Sequence, residues 1–554
     1  MGSMTTRNWV LAAAVLGSSM SYLDSTVVTV ALPTIGRQLP HGLLGVLEGQ
    51  AYVYNGYLLS LSSLLILAGG LTDRYGRKRM FSLGVAGFGV TSALCAAAPT
   101  LETLVLFRVL QGAAGALLVP GALSLITTTF TGEEQGRAFG IWSGASAAVG
   151  ILGPFVGGVF VDTLSWRAAF LLNVPVAALT LWLVARHVPE SRDDTAPSGF
   201  DVVGTIATML AIGGLSFGTI YGQERNWRDP LAFVALGVGA AATLALPPLM
   251  TRRANPLVPP ELFQSRNFTV TNLSTFVIYG ALAVTFYYLP LFMQGTLGYT
   301  ASAVGLATLP VGVLLALFSP RFGALAGRYG PRRFMAVGPA VMACGVLLLA
   351  RVPAGSAAWV LHPGDAATYV PPVAYGRDFL PALLVFGAGL MTMVAPLTTA
   401  LMTSVPERHA GLASAINNAV SEVGPQLVGA VTFVMITARF YADLAKRVPD
   451  LDVSSSAFRL AVSPLNPPAS TLPAAVAEAA RAASTDSFHV AMWLSAALLV
   501  CGAVINAVGI LDRLPAAPPV KPTTVGPWQK CRAAPEGRAP ETGGRPLAAE
   551  TGSP

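Results

Sequence analysis

Charge is scarce in this chain of 554 residues: Asp, Glu, Lys and Arg together make up 11%. That is too little to give a water-soluble fold of this size a surface of ordinary polarity. Cysteine is scarcer still, with four residues, and Cys95, Cys344 and Cys501 fall inside apolar runs while Cys531 lies close to the C-terminal end. A disulfide-stapled secreted fold is thereby excluded. The five histidines, His41, His187, His362, His409 and His489, are scattered near the ends of apolar runs, so they supply neither an intramembrane imidazole relay nor a zinc-type Cys/His spacing. The chain also lacks a GxxxxGK(S/T) phosphate loop to couple ATP and an HExxH pair on one helix face, which leaves no motif for an enzyme or an ATP-driven pump.

What is abundant is apolar length. Hydrophobic residues make up 53% and the mean hydropathy is +0.61. A bilayer takes about 20 apolar residues per helix, and fourteen such segments follow one another, the first from about residue 9 and the last from about 487. The fold class expected is an all-α polytopic membrane protein with 14 transmembrane helices, the first retained rather than cleaved as a signal. Basic residues crowd one set of short loops (Arg7, the cluster Arg74, Arg77, Lys78 and Arg79, then Arg137, Arg252, Arg253 and Arg328). That bias puts both termini in the cytoplasm. It also accounts for most of the net charge of +7, so no nucleic-acid partner is expected. Abundant Ala, Gly and Pro, with Arg greatly outnumbering Lys, suggest a GC-rich bacterial genome and hence a bacterial plasma membrane.

An internal repeat organises the chain. GGLTDRYGRKRMFSLG, Gly69 to Gly84, aligns without a gap to GALAGRYGPRRFMAVG, Gly323 to Gly338, each after the second span of its half; GPFVGG from Gly153 is echoed by GPQLVGA from Gly424 in the paired fifth span. The expected division is a cytoplasmic N-terminus 1–8, a six-helix bundle 9–186, a linker 187–200, two inserted helices 201–252, a loop 253–267, and a second six-helix bundle 268–511. The second bundle carries outer loops at 352–378 and 440–486, and a disordered cytoplasmic tail occupies 512–554. Duplicated halves that rock about a central site are a transporter architecture.

Ionisable residues inside spans mark the candidate chemistry, because each costs about 3 kcal/mol at a helix centre on insertion scales and so faces a partner or a wet cavity. Asp24 lies about 15 residues into the first helix and Arg108 about seven into the fourth, entering from the opposite side, which places them at comparable depth. Two readings stay open: a proton-coupling pair, in which Arg and desolvation pull the carboxyl in opposite directions, or a static ion pair that fixes packing. Glu422 lies near the midplane of the second bundle, either as a proton site and cation anchor or as a packing residue bonded to Asn417 or Asn418. Tyr57, Gln111, Phe286, Tyr287, Tyr288, Gln294, Asn417 and Asn418 are candidates to line a substrate cavity, an aromatic setting that suits lipophilic cations.

Several segments, in order, carry a family resemblance: LDSTVVTVALP (Leu23–Pro33), with Thr29 where Asn is usual, GGLTDRYGRKR (Gly69–Arg79), LVLFRVLQGAAGA (Leu104–Ala116), GILGPFVGG (Gly150–Gly158) and WRAAFLLNVP (Trp166–Pro175). Over roughly residues 9–511 the chain resembles the major facilitator superfamily, and within it the fourteen-span drug:proton antiporters. The resemblance implies a monomeric antiporter, driven by the proton gradient with no other cofactor, that moves a small lipophilic or cationic substrate out of the cell, with protons and membrane lipid as its other partners. It implies that Asp73, Gly76 and Arg77 form a latch between the halves. It further implies that Gly153, Pro154 and Gly157, with Gly424 and Pro425 as counterparts, take part in gating. Gly327 stands where the second repeat would have an aspartate, which predicts an asymmetric latch. Export of a lipid or endogenous metabolite on the same fold is the alternative, and a non-transporting membrane sensor is a more distant one.

Overall fold

In lipid a backbone N–H or C=O has no water to pair with, so apolar runs of this length coil into helices that satisfy their own hydrogen bonds. The computed structural model bears this out, with helices and no strand among the described residues. It describes residues 6–512 apart from 41–45, 192–200, 226, 254, 363, 450, 454, 456–457, 459–461 and 467–471. The expected tail, beyond Asp512, and most of the 187–200 linker lie outside the described residues.

The first half comprises α1 (Thr6–Gln38), α2 (Val46–Tyr75), α3 (Arg77–Ala97), α4 (Leu101–Gly115, continuing as Leu118–Thr129), α5 (Gly132–Thr163) and α6 (Trp166–Leu171, continuing as Asn173–His187). Then come α7 (Val202–Glu224) and α8 (Pro230–Arg252). The second half comprises α9 (Arg266–Leu291, running into a π turn at Phe292–Thr296), α10 (Ala301–Tyr329), α11 (Arg332–Leu349), α12 (Leu380–Thr403), α13 (Ala410–Arg447) and α14 (Ala474–Gly509). Thirteen of these segments are long and apolar enough to cross a membrane. With α5, whose 32 residues take the fifth position of the first half, the helices fill the fourteen places expected from the sequence.

Capping sets the starts. Thr100 opens α4 by accepting from Thr103 N while the Thr103 hydroxyl closes back on Thr100, and Asp201 and Asp229 cap α7 and α8, the latter followed by Pro230. Each satisfies first-turn N–H groups that have no intrahelical partner. The inserted α7 packs on α2 and α13, and α8 packs on α7; only 6% of the apolar window of α8 is buried, as befits a helix facing lipid. Outside the spans, α13 and α14 run on to Arg447 and back from Ala474, so much of the segment expected as an outer loop at 440–486 is helix. A small core of Phe440, Tyr441, Leu444, Val462, Ala480 and Ala483 closes it.

The two halves meet chiefly through α2 on α13 and α5 on α10. Without a hydrophobic drive between helices in lipid, close approach of small residues provides the contact. A Cβ on Gly69 would stand 2.6 Å from the Gly411 carbonyl, and one on Gly140 would stand 2.6 Å from the Ser319 carbonyl. The Ser143 and Ser319 hydroxyls share a hydrogen bond of 3.0 Å across the same seam. These contacts lie toward the end of the bundle that carries the basic loops. Further along, Gly150 on α5 and Gly305 on α10 have nothing within 4 Å of where a Cβ would stand.

Candidate functional site

Asp24 sits on α1, and its side chain is fully buried against Arg108 of α4. Arg108 Nη1 donates to Asp24 Oδ2, while Gln111 Nε2 at 2.9 Å and Asn173 Nδ2 at 3.0 Å both donate to Oδ1. Gln111 also accepts from Arg108 Nη1 at 2.7 Å and donates to Ser92 Oγ at 2.8 Å. Arg108 Nε donates to the Val53 carbonyl at 3.0 Å, and its guanidinium lies 4.2 Å from the centroid of the Tyr57 ring. Helices α1, α2, α3, α4 and α6 are thus knitted through one ion pair. Depth counting brings Asp24 and Arg108 together, as the structure does. Gln111 and Tyr57, candidates for a substrate cavity, belong instead to this sealed cluster, Tyr57 with 1% exposure and its hydroxyl 2.5 Å from Ser21 Oγ. Asn173, Ser92 and Ser21 were missed. The signal for Asn173 was present, as a lone amide in the apolar run FLLNVPVAAL, where an unpaired polar group is costly.

Glu422, on α13, is set differently. Among the described residues its carboxylate has no hydrogen-bond or ion-pair partner. Tyr22 of α1, Tyr54 and Tyr57 of α2 and Tyr279 of α9 all lie within electrostatic range of it. Those tyrosines come from both halves, so the carboxylate is at their seam. The alternative of a packing acid bonded to neighbouring asparagines does not hold: Asn417 Nδ2 donates to Asn272 Oδ1 at 3.2 Å and Thr275 Oγ1 at 2.9 Å, and Asn418 Nδ2 to its own helix at Ser414 O, 2.8 Å. Of the aromatic candidates on α9, Tyr288 is packed in the core of the second half and Tyr287 is 62% exposed. Phe286 lies edge-on to Phe386 at 5.7 Å. Consecutive helical residues point about 100° apart, so three in a row cannot share one cavity. Gln294 falls in the π turn and is exposed.

At the basic end Asp73 reaches across the seam. Its Oδ1 accepts from Gly411 N at 3.0 Å and its Oδ2 from Leu412 N at 2.8 Å. These are first-turn donors of α13, where the helix dipole also favours a carboxylate. Arg77 holds that carboxylate at 3.5 Å and donates to the Glu407 carbonyl in the second half. Gly76 has φ 108°, and a Cβ there would stand 2.7 Å from Glu190 Oε1. Glu190 caps α3 through Lys78 N at 3.0 Å and Arg79 N at 3.1 Å. The second repeat matches this turn: Gly330, φ 88°, abuts Asp512, which accepts from Arg332 N at 3.0 Å. It does not match the bridge, because Gly327 meets the start of α5 at Gly132 and Glu133 with no carboxylate of its own. Glu190 and Asp512, each just past the last helix of its half, were not identified from the sequence.

The remaining glycines serve packing within a half. A Cβ on Gly153 would run into the Thr26 side chain and one on Gly157 would stand 3.0 Å from Val27, both on α1; a Cβ on Gly424 would stand 3.1 Å from the Phe276 carbonyl of α9. Pro425 is within α13. Pro154 is helical, and its side chain lies outside the described ones.

Residues 14–429 match the Major Facilitator Superfamily. The chain is 32% identical over 449 residues to the Multidrug resistance protein Stp of Mycobacterium tuberculosis, covering 79% of this chain and 78% of that one. It is 34% identical over 451 residues to the Puromycin resistance protein pur8 of Streptomyces alboniger, covering 79% and 84%. The solved proton:xylose symporter XylE superposes with a TM-score of 0.53 at 16% identity over 90% of this chain and 94% of that one, a likeness of fold.

Proposed function

We propose, since the chain belongs to the Major Facilitator Superfamily, that it is a proton-driven antiporter that exports amphipathic drugs, antibiotics or related lipophilic compounds. It is a multi-pass membrane protein; we place it in a bacterial plasma membrane as a monomer, with both termini in the cytoplasm on the distribution of Arg and Lys. The carrying observation is a half-buried carboxylate, Glu422, that has no hydrogen-bond or ion-pair partner among the described residues and lies among tyrosines from both halves. An organic cation with an aromatic body completes such a site, ion-pairing with the acid and stacking on the rings. The relatives it resembles are named for resistance to multiple drugs and to puromycin, which supports drugs and antibiotics as its substrates.

In the cycle we propose, the arrangement seen here is closed at the cytoplasmic end by Asp73 on α13 and by the α5–α10 glycine contacts. A proton arriving from outside neutralises Asp24 and weakens its hold on Arg108, and substrate leaves outward. Breaking the Asp73 latch then opens the cytoplasmic end, where the proton is lost and substrate reloads. No cofactor beyond the proton gradient enters this scheme. The test is extrusion of a panel of fluorescent cations and neutral antibiotics from cells expressing the chain, with and without an uncoupler. Extrusion that stops with the uncoupler supports the reading; extrusion indifferent to it, or none, refutes it.

A further inference from the structure

The inserted helices lie over the seam between the halves, since α7 packs on both α2 and α13. On α2 the approach is close: a Cβ on Gly213 of α7 would stand 2.8 Å from Ser63 Oγ. One carboxylate draws the basic end of this helix pair together. Asp201, its side chain 3% exposed, accepts on Oδ1 from Gly204 N and Arg253 Nη1, both at 2.9 Å, and on Oδ2 from Leu257 N at 3.1 Å. Capping α7 needs only the first of these. The other two pin the end of α8 and the loop between α8 and α9. That loop meets the latch. A Cβ on Gly70 of α2 would stand 3.0 Å from Leu257 Cδ1, and Gly69 beside it is the residue whose Cβ would meet the Gly411 carbonyl of α13. Val258 and Leu262, further along the loop, are buried in the cluster that holds Leu65 and Ile66 of α2 with Leu412 and Ile416 of α13. Arg266, nine residues after Leu257, begins α9, so the loop is seated on the first half just before it enters the second.

We propose that the inserted hairpin is a second cytoplasmic clasp: Asp201 fastens the α8–α9 loop across the α2–α13 seam, and Leu257, seated at Gly70, holds that end closed alongside Asp73. Asp73 crosses the seam directly, from α2 to the start of α13. The second clasp crosses it through a loop. Parting α2 from α13 breaks up the cluster they share, so each contact the loop makes there weighs against opening. Asp201 is a positioning residue, acting through Arg253 and Leu257 N on where the loop lies.

The clasp rests on the reading of the chain as a carrier whose halves rock, and not on proton coupling. The full chain carrying Cys531→Ser and Ile416→Cys, in inside-out membrane vesicles, tests it with a membrane-impermeant maleimide. Ile416 is 5% exposed at the seam, so its labelling rate reads opening of the cytoplasmic end. In this parent, Asp201→Asn keeps one acceptor oxygen for the start of α7 and gives up the ion pair. Leu257→Ala leaves the Asp201 hydrogen bonds whole and removes the side chain from Gly70; Leu257→Met keeps its bulk. Asp201→Asn and Leu257→Ala should each label about fivefold to thirtyfold faster, the change in a two-state population that one lost contact of this kind brings, and faster again when combined with Asp73→Ala. Leu257→Met should label at the parent rate. Parent rates in Asp201→Asn and Leu257→Ala overturn the clasp. Faster labelling in Asp201→Asn with Leu257→Ala at the parent rate makes Asp201 a helix cap alone and also overturns it. If Asp201→Asn does not reach the membrane, Leu257→Ala decides by itself. Labelling needs neither substrate nor proton gradient, so failure of the clasp and failure of the antiporter reading in the extrusion assay are read separately.

Discussion

Replacing Asp24 by asparagine separates the charge of this site from its shape. The carboxylate accepts from Arg108 on one oxygen and from Gln111 and Asn173 on the other, at 2.9 and 3.0 Å. An asparagine has one acceptor oxygen. If it serves the two amides, its own N–H groups oppose Arg108; if it serves Arg108, they oppose two amide N–H donors. Either way Arg108, with no exposure and with Nη2 unpartnered among the described residues, loses its counter-charge. Removing one partner of a buried pair costs about 3–5 kcal/mol, a large share of the roughly 5–15 kcal/mol that holds a domain folded. Adding Arg108→Gln removes the stranded charge and should return about 2–3 kcal/mol of that loss. Tryptophan fluorescence during thermal unfolding in detergent reads the order: unaltered protein most stable, the double variant next, Asp24→Asn least. Gradient-driven efflux reads function, and both variants should have none. An Asp24→Asn protein as stable as the unaltered one, or a double variant no better than the single, refutes the stranded-charge argument. Proton-driven export by Asp24→Asn refutes its coupling role.

Glu422→Gln keeps size and removes charge; losing one charged hydrogen-bonding contact, about 1.5–3 kcal/mol, should weaken binding of organic cations roughly tenfold to a hundredfold and leave neutral substrates alone, as fluorescence titration of both classes would read. Asp73→Ala removes the carboxylate from the start of α13, and loss of such a cap costs about 1 kcal/mol. Cysteines placed at the cytoplasmic end of that seam should then react faster with a membrane-impermeant thiol reagent in inside-out vesicles; unchanged labelling counts against the latch. Gly140→Val puts branched carbons where a Cβ already stands 2.6 Å from the Ser319 carbonyl, so it should hold the cytoplasmic end open and abolish export while surface expression persists. Export at the unaltered rate would contradict the closure described for α5 and α10.

Depth along a helix is legible in a sequence, and rotation about its axis is not. Counting 1.5 Å per residue from each membrane face paired Asp24 with Arg108, and the gapless repeat at Gly69 and Gly323 placed equivalent turns in the two halves. Whether Tyr57 looks into a cavity or into the wall depends on how α2 turns against α1 and α4, which only packing settles; its hydroxyl lies on Ser21. The run Phe286, Tyr287 and Tyr288 shows the same limit, since three adjacent aromatics read as one patch along the chain and point three ways on α9. Glu190 sits in a connecting segment rich in charge and Asp512 just past the last helix, and in neither place does anything local mark the acid as the cap of a helix more than 100 residues earlier in the chain. The absence of an aspartate at Gly327 did translate directly, because a bridge of this kind requires a carboxylate at that one position.

In the proposed cycle one chain binds proton and substrate in exchange. Ethidium added to the detergent-purified protein in weak buffer, with a pH-indicating dye, tests it most directly. Proton release should saturate with ethidium binding and vanish when Asp24→Asn and Glu422→Gln are combined. Saturable ethidium binding by the unaltered protein with no protons released would contradict it.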